Sequence, residues 1–514
     1  MKKNFSSDSL QPRDFWCFAS GTLGRDFAYN FFVNYLLTFI LFTKSLTDLQ
    51  FTCVSVIIVG ARIFDAFNDP VMGGIIENTK TRFGKFRPWI AIGALSVSVV
   101  IVLTFSIGVD GWSFIAFLAV MYFMFSITFT MNDIAYWGML PALGKTSHER
   151  NKLMSVSQLF VTAGGGLAGI CIPALTTTYS AYLGGSAASA YKYLSLIATA
   201  LFLATTAITV FGVREKSTLD TENKSNTLKL KDMFNVLKNN DQLLYSALIM
   251  ILYSVGTGVV TGGLSTTYIY FEFGYDGMLT TAFFALGAVL SIIFTATFPY
   301  IIKKTGRTNL ILAGTAVTVF GYAFMLIVGL AVPKGNVLFE LLGMKITVKY
   351  LLLIVANGFC SLGGGCFYTL MFLNMANTVE YNEWKTGKRE ESLIFSLRPF
   401  SAKMSSALVQ LLIMVIYLAV GVLDVTNGIS ELDKLATTDP TYTSSQMLSD
   451  INKLLQSVDD GKKNALMCCM CIIPIIFMIT AIVIYRKKFI LDDKTYEKLK
   501  IEIENRKITD EITD

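Results

Sequence analysis

The chain has 514 residues, of which 53% are hydrophobic and 16% are charged, and its mean hydropathy is +0.55. Soluble domains carry about 25% charged residues, so this composition excludes an ordinary soluble globular protein. The net charge of +6 comes mainly from short groups of Lys and Arg beside apolar segments, and it therefore does not indicate nucleic-acid binding.

About twelve apolar stretches are long enough to cross ~30 Å of hydrocarbon as α-helices, which predicts an all-α polytopic membrane protein. The stretches are too long for the strands of a membrane β-barrel, and they lack period-two alternation. In chain order they lie near residues 15–42, 51–76, 88–107, 112–142, 153–178, 192–213, 241–272, 277–302, 309–332, 349–375, 392–423 and 463–485.

The twelve predicted transmembrane helices form two groups of six, separated by a polar segment. We expect an N-terminal half at 1–213, a cytoplasmic linker at 214–240, a C-terminal half at 241–485 and a cytoplasmic tail at 486–514. Within the C-terminal half, residues 424–462 are predicted to form an external loop. Six helices plus six is the layout of the major facilitator fold, in which substrate binds between the halves near mid-membrane. Hydropathy alone would also allow a channel or a membrane enzyme.

Basic residues indicate which side of the membrane the termini occupy. They are concentrated at residues 2–13, 80–87, 303–307 and 486–488, and these segments lie on one side if the spans alternate. By the positive-inside rule this side is the cytoplasm. The sequence therefore predicts a multi-pass protein of the plasma membrane with both termini cytoplasmic.

The second predicted span contains the segment ARIFDAFNDP at residues 61–70, which places three charged groups inside an apolar run. Each charge at a helix centre costs about 2.5–3.5 kcal/mol on the insertion scale, so a functional site is the expected explanation. Asp65 and Asp69 are four residues apart and share one helix face, with Asn68 beside them. Oxygen ligands in this arrangement suit a small hard cation. The alternative is a structural ion pair between Arg62 and Asp65, which leaves Asp69 unexplained.

Polar residues also interrupt the first, fourth and eleventh spans. In the fourth, Asp133 and Trp137 are again four residues apart. A carboxylate that accepts hydroxyl hydrogen bonds, beside an indole that covers an apolar sugar face, predicts a sugar site; an interfacial tryptophan is the alternative. The charged residues inside the other two spans are Arg25, Asp26, Arg398 and Lys403.

The motifs of an ATP-driven pump or a membrane enzyme are not visible in the sequence. No phosphate-binding GxxxxGK[ST] loop occurs, and the single histidine, His148, lies in a polar segment. Active transport would therefore have to draw on an ion gradient.

The motif ARIFDAFNDPVMG, followed by TRFGKFRPW and then TFTMNDIAYW, resembles the glycoside–pentoside–hexuronide:cation symporters. The resemblance runs from GRDFAYNFF in the first span to MANTVEYNEWKTGKREES before the eleventh. It implies a site for Na⁺ or Li⁺, with proton coupling as the alternative, because two carboxylates on one face can raise one pKa enough to bind H⁺. The cation ligands implied are Asp65, Asn68, Asp69 and Thr130, with Na⁺ placed at Asp65 and Asp69.

The resemblance also implies a sugar site, which departs from the family pattern at some positions. Gln158 and Tyr368 stand where melibiose permease, a member of this family, has an arginine and a tryptophan, and Arg398 has no counterpart there. Arg398 with Lys403 could bind a hexuronide carboxylate; alternatively, Arg398 replaces the charge lost at Gln158. The substrate-binding residues implied are Arg25, Asp26, Asp133, Trp137, Gln158, Tyr368, Arg398 and Lys403.

Together these features predict a secondary active symporter that couples inward cation movement, with Na⁺ expected, to uptake of a glycoside or related sugar by alternating access. The alternatives are a proton-coupled sugar or hexuronide symporter and a non-transporting sugar sensor with the same fold. We expect no enzymatic activity, no cofactor and no nucleic-acid partner; the expected partners are the sugar, the cation and the lipid bilayer. The predicted cytoplasmic gate comprises Arg82, Lys85, Arg87, Arg150, Glu383 and Arg389.

Overall fold

The computed structural model describes residues 11–144, 147–215, 238–341, 344–387, 391–439 and 441–513. Within these ranges each of the twelve predicted spans coincides with helical structure. The helices are α1 (Pro12–Thr43), α2 (Asp48–Glu77), α3 (Arg87–Ser106), α4 (Gly111–Leu143), α5 (Ser147–Thr176), α6 (Ala187–Gly212), α7 (Asp241–Val259), α8 (Ser265–Phe273), α9 (Gly277–Thr305), α10 (Arg307–Ala331), α11 (Val348–Thr386), α12 (Glu391–Val420), α13 (Val422–Thr438), α14 (Ser444–Gln456), α15 (Asp460–Lys488) and α16 (Asp493–Thr513). A short 3₁₀ turn at Ser180–Leu183 precedes α6, and an antiparallel hairpin of β1 (Val337–Leu341) and β2 (Met344–Thr347) precedes α11.

The described ranges contain ten helices that are long and apolar enough to cross a membrane, or eleven when the bent helix α2 is included. The one predicted span that is not among these eleven is the first, α1, a helix of 32 residues. Its polar residues, which include Arg25, Asp26 and Asn30, lower its apolar content, yet α1 packs extensively on α5 and α6. The prediction of an all-α polytopic membrane protein is confirmed, while apolar composition alone supports up to eleven spans among the described residues.

Helix α2 bends by 41° between Asp65 and Phe67. Pro70 lies inside the helix and has no N–H to donate to the carbonyl four residues earlier, at residue 66. The missing hydrogen bond and the proline ring account for a bend at this point. The bend therefore falls between the two carboxylates predicted to bind a cation, Asp65 and Asp69.

The chain divides into two compact units. The first comprises Met1–Thr227, Tyr275–Met278 and Gly421–Ser457; the second comprises Leu228–Gly274, Leu279–Val420 and Val458–Asp514. In the first unit α1 packs on α5 and α6, and α4 packs on α2 and α3. In the second, α11 packs on α10, and α7 packs on α12 and α15. Most of the predicted linker, residues 216–237, lies outside the described residues.

A π-turn, Val260–Leu264, joins α7 to α8 in the second unit. Gly263 within this turn has a φ of 141°, a conformation that side-chain-bearing residues rarely adopt. Next to the turn, Gly258 lies so close to Val409 of α12 that an added Cβ would stand 2.6 Å from the Val409 side chain. The break in this span thus depends on glycine both for its backbone conformation and for the close approach of α12.

Residues 424–462, predicted as an external loop, are mainly helical. Helices α13 and α14 form a hairpin, Gly421–Ser457, that packs within the first unit against α1 and α6. Helix α14 buries Met447, Ile451 and Leu455 at four-residue spacing and exposes its polar face. The average composition of this segment is polar because two amphipathic helices expose their hydrophilic sides, and this composition led to the prediction of a loop.

Asp433 of α13 is buried in this packing, with 2% of its surface exposed. Its carboxylate accepts hydrogen bonds from the backbone N–H groups of Ala187 and Ala188, the second at 3.0 Å, and thereby caps the N-terminus of α6. Burial raises the pKa of the Asp433 carboxyl to about 6, although the two N–H groups act in the opposite direction.

Acidification should strengthen the packing of α13 on α6. A carboxyl whose pKa is about 6 when packed, against an ordinary 3.8, stabilises the packed state fully below the lower value and loses this contribution as pH rises through the higher one. Lowering the pH from about 7.5 to about 5 should protect the α13 amides about tenfold in hydrogen exchange corrected for intrinsic rates, or about 1.4 kcal/mol. Asp433→Asn should remove this dependence; an equal pH response in variant and parent would contradict the assignment.

Candidate functional site

A buried arginine of α1 joins two acidic residues from different helices. The Arg25 guanidinium donates to Asp26 Oδ2 from Nε at 3.1 Å and from Nη2 at 2.8 Å, and from Nη1 to Asp133 Oδ1 of α4 at 3.0 Å. The Arg25 side chain is 4% exposed, whereas that of Asp133 is 40% exposed. Asp133 therefore remains accessible to a ligand while it balances the charge of Arg25.

Two aromatic rings of α4 flank the same guanidinium. Its carbon lies 4.8 Å from the Trp137 ring centroid and 5.1 Å from that of Tyr136, which is within the range of cation–π attraction. The Tyr136 hydroxyl donates to the carbonyl of Phe18 on α1 and fixes the ring against that helix. The structure thus brings together four of the residues predicted to bind sugar: Arg25, Asp26, Asp133 and Trp137.

A second polar cluster joins α2 and α4. The Ser126 hydroxyl donates to Asp65 Oδ1, and the Thr130 hydroxyl donates to Asp69 Oδ1 at 3.2 Å. Both pairs are separated by 61 residues in the chain, so the two helices keep one register across both contacts. Ser126 was missed by sequence reasoning. Its signal is the four-residue spacing from Thr130, which repeats the spacing of Asp65 and Asp69.

Arg62 completes this cluster. Its Nη1 lies 3.9 Å from Asp65 Oδ2, so the ion pair considered from the sequence exists alongside the hydroxyl contact. Asp65 and Arg62 are 7% and 8% exposed. The Asp65 and Asp69 carboxylates and the Arg62 guanidinium together carry a formal charge of −1. A bound monovalent cation would neutralise that charge.

The donor set fits a small cation that prefers oxygen ligands. The part of the chain that the structure describes contains no group of three or more His, Cys, Asp or Glu side chains placed to hold a metal ion, so hydroxyl and amide oxygens would have to complete the coordination. Asn68 Nδ2 is buried and makes no hydrogen bond to any described atom. Rotating this amide by 180° would place its oxygen in that position, where it could act as a ligand.

Helix α4 carries residues of both clusters on one face. Ser126, Thr130, Asp133 and Trp137 are spaced by four, three and four residues, and at 3.6 residues per turn they follow one stripe of the helix. The stripe extends about 16 Å along the helix axis. Residues predicted to bind the cation and residues predicted to bind the sugar therefore lie on one helix.

The other predicted sugar-site residues lie on other helices. Gln158 of α5 is exposed, and none of the side-chain hydrogen bonds found among the described residues connects it with Arg25. Tyr368 and Lys403 belong to the second unit, on α11 and α12, where the Tyr368 ring lies 6.1 Å from that of Tyr253. The side chain of Arg398 lies outside the described part of the chain.

Two of the predicted gate residues are held in a loop by a glutamate that sequence reasoning missed. Glu215 accepts hydrogen bonds from the backbone N–H groups of Lys85 at 2.8 Å and of Arg87 at 3.3 Å. The Arg87 side chain donates from Nε to the carbonyl of Val210 on α6 at 2.7 Å, and Arg82 is exposed. The loop is thus anchored to the end of α6.

The remaining gate residues lie apart from this loop in the chain. Arg150 is half-buried near the start of α5, and Glu383 is half-buried near the end of α11 in the second unit. Arg389 lies outside the described residues. A gate formed by all six residues stays a prediction.

The family model of MFS/sugar transport proteins matches residues 17–493. The chain belongs to this family. Membership confirms the resemblance to the glycoside–pentoside–hexuronide:cation symporters and the major facilitator fold. Because the family consists of membrane transport proteins, it also confirms a multi-pass membrane protein rather than an enzyme.

Several members of this family from lactic acid bacteria are similar in sequence. The chain is 28% identical to a raffinose carrier protein of Pediococcus pentosaceus, across 76% of this chain and 59% of that protein. It is 26% identical to a lactose permease of Leuconostoc lactis, across 98% and 73%. An isoprimeverose transporter of Lactiplantibacillus pentosus is 27% identical, across 74% and 75%. The chain therefore spans less than two thirds of the length of the raffinose carrier.

Solved structures of other transporters share the fold. A bacterial homolog of the human lysosomal transporter Spinster has a TM-score of 0.62 at 12% identity, across 94% of this chain and 99% of that one. The nucleoside transporter NupG has a TM-score of 0.56 at 11% identity, across 92% and 100%. At these identities the likeness concerns the fold alone.

Removing the Arg25 guanidinium should destabilise the protein strongly. Arg25→Gln removes the buried guanidinium that pairs with the Asp26 and Asp133 carboxylates, and breaking a buried ion pair costs about 3–5 kcal/mol. The thermal unfolding temperature in detergent should fall clearly below that of the parent. Arg82→Gln, on an exposed loop, is the matched control and should change it little. Adding Asp26→Asn to Arg25→Gln should recover part of the loss, and an unchanged unfolding temperature in Arg25→Gln would contradict the assignment.

Proposed function

We propose that the protein is a secondary active symporter that couples the inward movement of Na⁺ to the uptake of a glycoside. The proposal rests on the shared face of α4, where Ser126 and Thr130 contact the carboxylates of α2 and Asp133 contacts Arg25 of α1. Membership in a family of sugar transport proteins supports the same activity.

The cation is proposed to bind between α2 and α4. Asp65, Asp69 and Thr130, with the amide of Asn68, offer the oxygen ligands that Na⁺ and Li⁺ prefer. The net charge of −1 from Arg62, Asp65 and Asp69 favours a monovalent ion. The same charge would also allow a proton on one carboxylate, and proton coupling is therefore the outcome that the experiment below separates.

The sugar is proposed to bind at Asp133 and Trp137. Asp133 Oδ1 accepts from Arg25, and the exposed part of this carboxylate can accept sugar hydroxyls. The Trp137 ring offers a flat apolar surface for one face of a pyranose, next to the guanidinium. The relatives named for raffinose, lactose and isoprimeverose make a glycoside the preferred class of substrate.

Coupling is proposed to pass along α4. A cation that holds α2 against Ser126 and Thr130 fixes the rotation of α4, and Asp133 and Trp137 turn with the same helix. Binding of the cation should therefore raise the affinity for sugar, and the sugar must raise the affinity for the cation by the same factor. The loaded carrier would then alternate between the two sides of the plasma membrane, with both termini cytoplasmic.

Neutralising either α2 carboxylate should abolish cation stimulation of sugar uptake. Asp65→Asn and Asp69→Asn each remove one carboxylate, and with it one negative charge and one oxygen ligand, from the proposed ion site. Uptake of labelled lactose and raffinose into proteoliposomes, measured with and without an inward Na⁺ gradient, checks this. Asp48→Asn, in the first turn of the same helix, is the matched control and should keep the stimulation. Full Na⁺-driven accumulation in Asp65→Asn or Asp69→Asn would refute the ion site.

Asp133→Asn should lower sugar affinity about tenfold to one hundredfold, because a buried hydrogen bond to a charged acceptor contributes about 1.5–3 kcal/mol. Binding of lactose, raffinose, isoprimeverose and a glucuronide to the purified protein is measured by calorimetry in the presence of Na⁺. An affinity for sugar in Asp133→Asn equal to that of the parent would contradict the assignment of Asp133 to the sugar site.

The same proteoliposomes separate the competing functions. Accumulation driven by a proton gradient alone would keep the sugar site and replace Na⁺ by H⁺. Selective accumulation of the glucuronide would favour a hexuronide symporter. Sugar binding without uptake under either gradient would favour a sensor.

A further inference from the structure

The α13–α14 hairpin is joined at both ends to helices of the second unit and packs on the first. It follows α12, which ends at Val420, and it leads into α15, which begins at Asp460. Its own residues, Gly421–Ser457, belong to the first unit. In sequence, the hairpin is therefore part of the C-terminal half. In the fold, it packs with helices of the N-terminal half.

Polar contacts hold the hairpin to the end of α1. The Ser45 and Ser430 hydroxyls are 2.8 Å apart. The side-chain amide of Asn427 makes two hydrogen bonds with the backbone of Leu46: its Oδ1 accepts from the Leu46 N–H at 2.9 Å, and its Nδ2 donates to the Leu46 C=O at 2.9 Å. These groups satisfy one another only while the hairpin is in place.

Two further contacts extend this polar surface to α4 and α6. Asp110 bridges two lysines: its Oδ2 accepts from Lys434 of α13 at 2.8 Å and its Oδ1 accepts from Lys44 at 3.2 Å. Asp433 caps the start of α6, as described above. A contact surface made of many short hydrogen bonds can open and close, because water replaces each partner when the surfaces part.

The connections to the second unit are very short. Only Gly421 separates α12 from α13, and it has a left-handed φ of 68°. Only residues 457–459 separate α14 from α15. One residue adds at most about 3.5 Å of reach. These connections can rotate, but they cannot stretch far enough to follow a large separation of the two halves.

We propose that the α13–α14 hairpin is an external latch, closed on the first unit in this structure, that must release from α1 and α6 once in every transport cycle. The proposal rests on the proposed function, because alternating access is what requires the halves to move apart on this side. Release exposes Asn427, Ser430 and Asp433 to water, which explains why these contact positions are polar. Gly421 then serves as the pivot between α12 and α13.

A reversible cross-link tests the latch. Ser45→Cys with Ser430→Cys ties α1 to α13, and each single variant treated with the same oxidant controls for the native cysteines.

Oxidation of the Ser45→Cys, Ser430→Cys protein should stop uptake of labelled lactose, and reduction should restore it. The oxidised single variants should keep their uptake. Continued uptake after complete cross-linking would overturn the proposal, because the hairpin would then be a permanent part of the first unit. Failure of the cross-link to form would also overturn it, because the closed contact would be absent.

A second measurement does not depend on transport. Asn427→Ala removes both bonds to Leu46 and should speed hydrogen exchange of the α13 amides about tenfold or more, whereas Lys453→Ala on the exposed face of α14 should not. Unchanged exchange in Asn427→Ala would count against the latch. A parent protein that takes up none of the tested sugars refutes the proposed function instead, and the exchange result still decides whether the hairpin opens.

Discussion

The arrangement of the first unit depends on the burial of one guanidinium. Arg25 lies in a helix of a membrane protein where an unpaired charge is expensive, and its neighbours supply what makes it tolerable. Asp26 on the same helix and Asp133 on α4 accept its hydrogen bonds, and Trp137 and Tyr136 cover its faces. The contacts of Arg25 with Asp133, Trp137 and Tyr136 consequently hold α1 and α4 together.

The position of α4 also orients the second polar cluster, which lies between α2 and α4. Because Arg25 fixes α4 through Asp133, the residues two and one turns earlier, Ser126 and Thr130, have a fixed orientation towards α2. The constant offset of 61 residues between each hydroxyl and its carboxylate shows two helices in register. The proposed ion site and the proposed sugar site thus share one helix, through which a disturbance at either would reach the other.

Much of this was predictable from the sequence. The charged residues of ARIFDAFNDP and TFTMNDIAYW lie in apolar segments, where the free-energy cost of inserting a charge into the membrane marks them as functional candidates. Helical spacing then correctly placed Asp65 with Asp69 on one helix and Asp133 with Trp137 on another. Ser126 was not predicted, because a serine in an apolar helix has little cost and therefore carries little signal. Its spacing of four residues from Thr130 is a weak signal, and its contact with Asp65 of α2 is visible only in the structure.

Two other misses have the same physical origin. Glu215 holds the basic loop through backbone N–H groups some 130 residues away, and no local pattern records such a contact. The α13–α14 hairpin was predicted as a loop because its mean composition is polar, although its buried residues repeat at helical spacing. What the composition could not show was the surface on α1 and α6 that gives those residues a place to pack.

The 41° bend in α2 gives the proposed ion a mechanical role as well as an electrostatic one. Asp65 lies before the bend and Asp69 after it. An ion bound by both carboxylates would therefore restrict bending of α2 at the point where Pro70 removes a backbone hydrogen bond. The angle between the two segments would then be set while the ion is bound and less restricted once it leaves. A helix of this kind converts the occupancy of one small site into a difference in stiffness along a whole transmembrane segment.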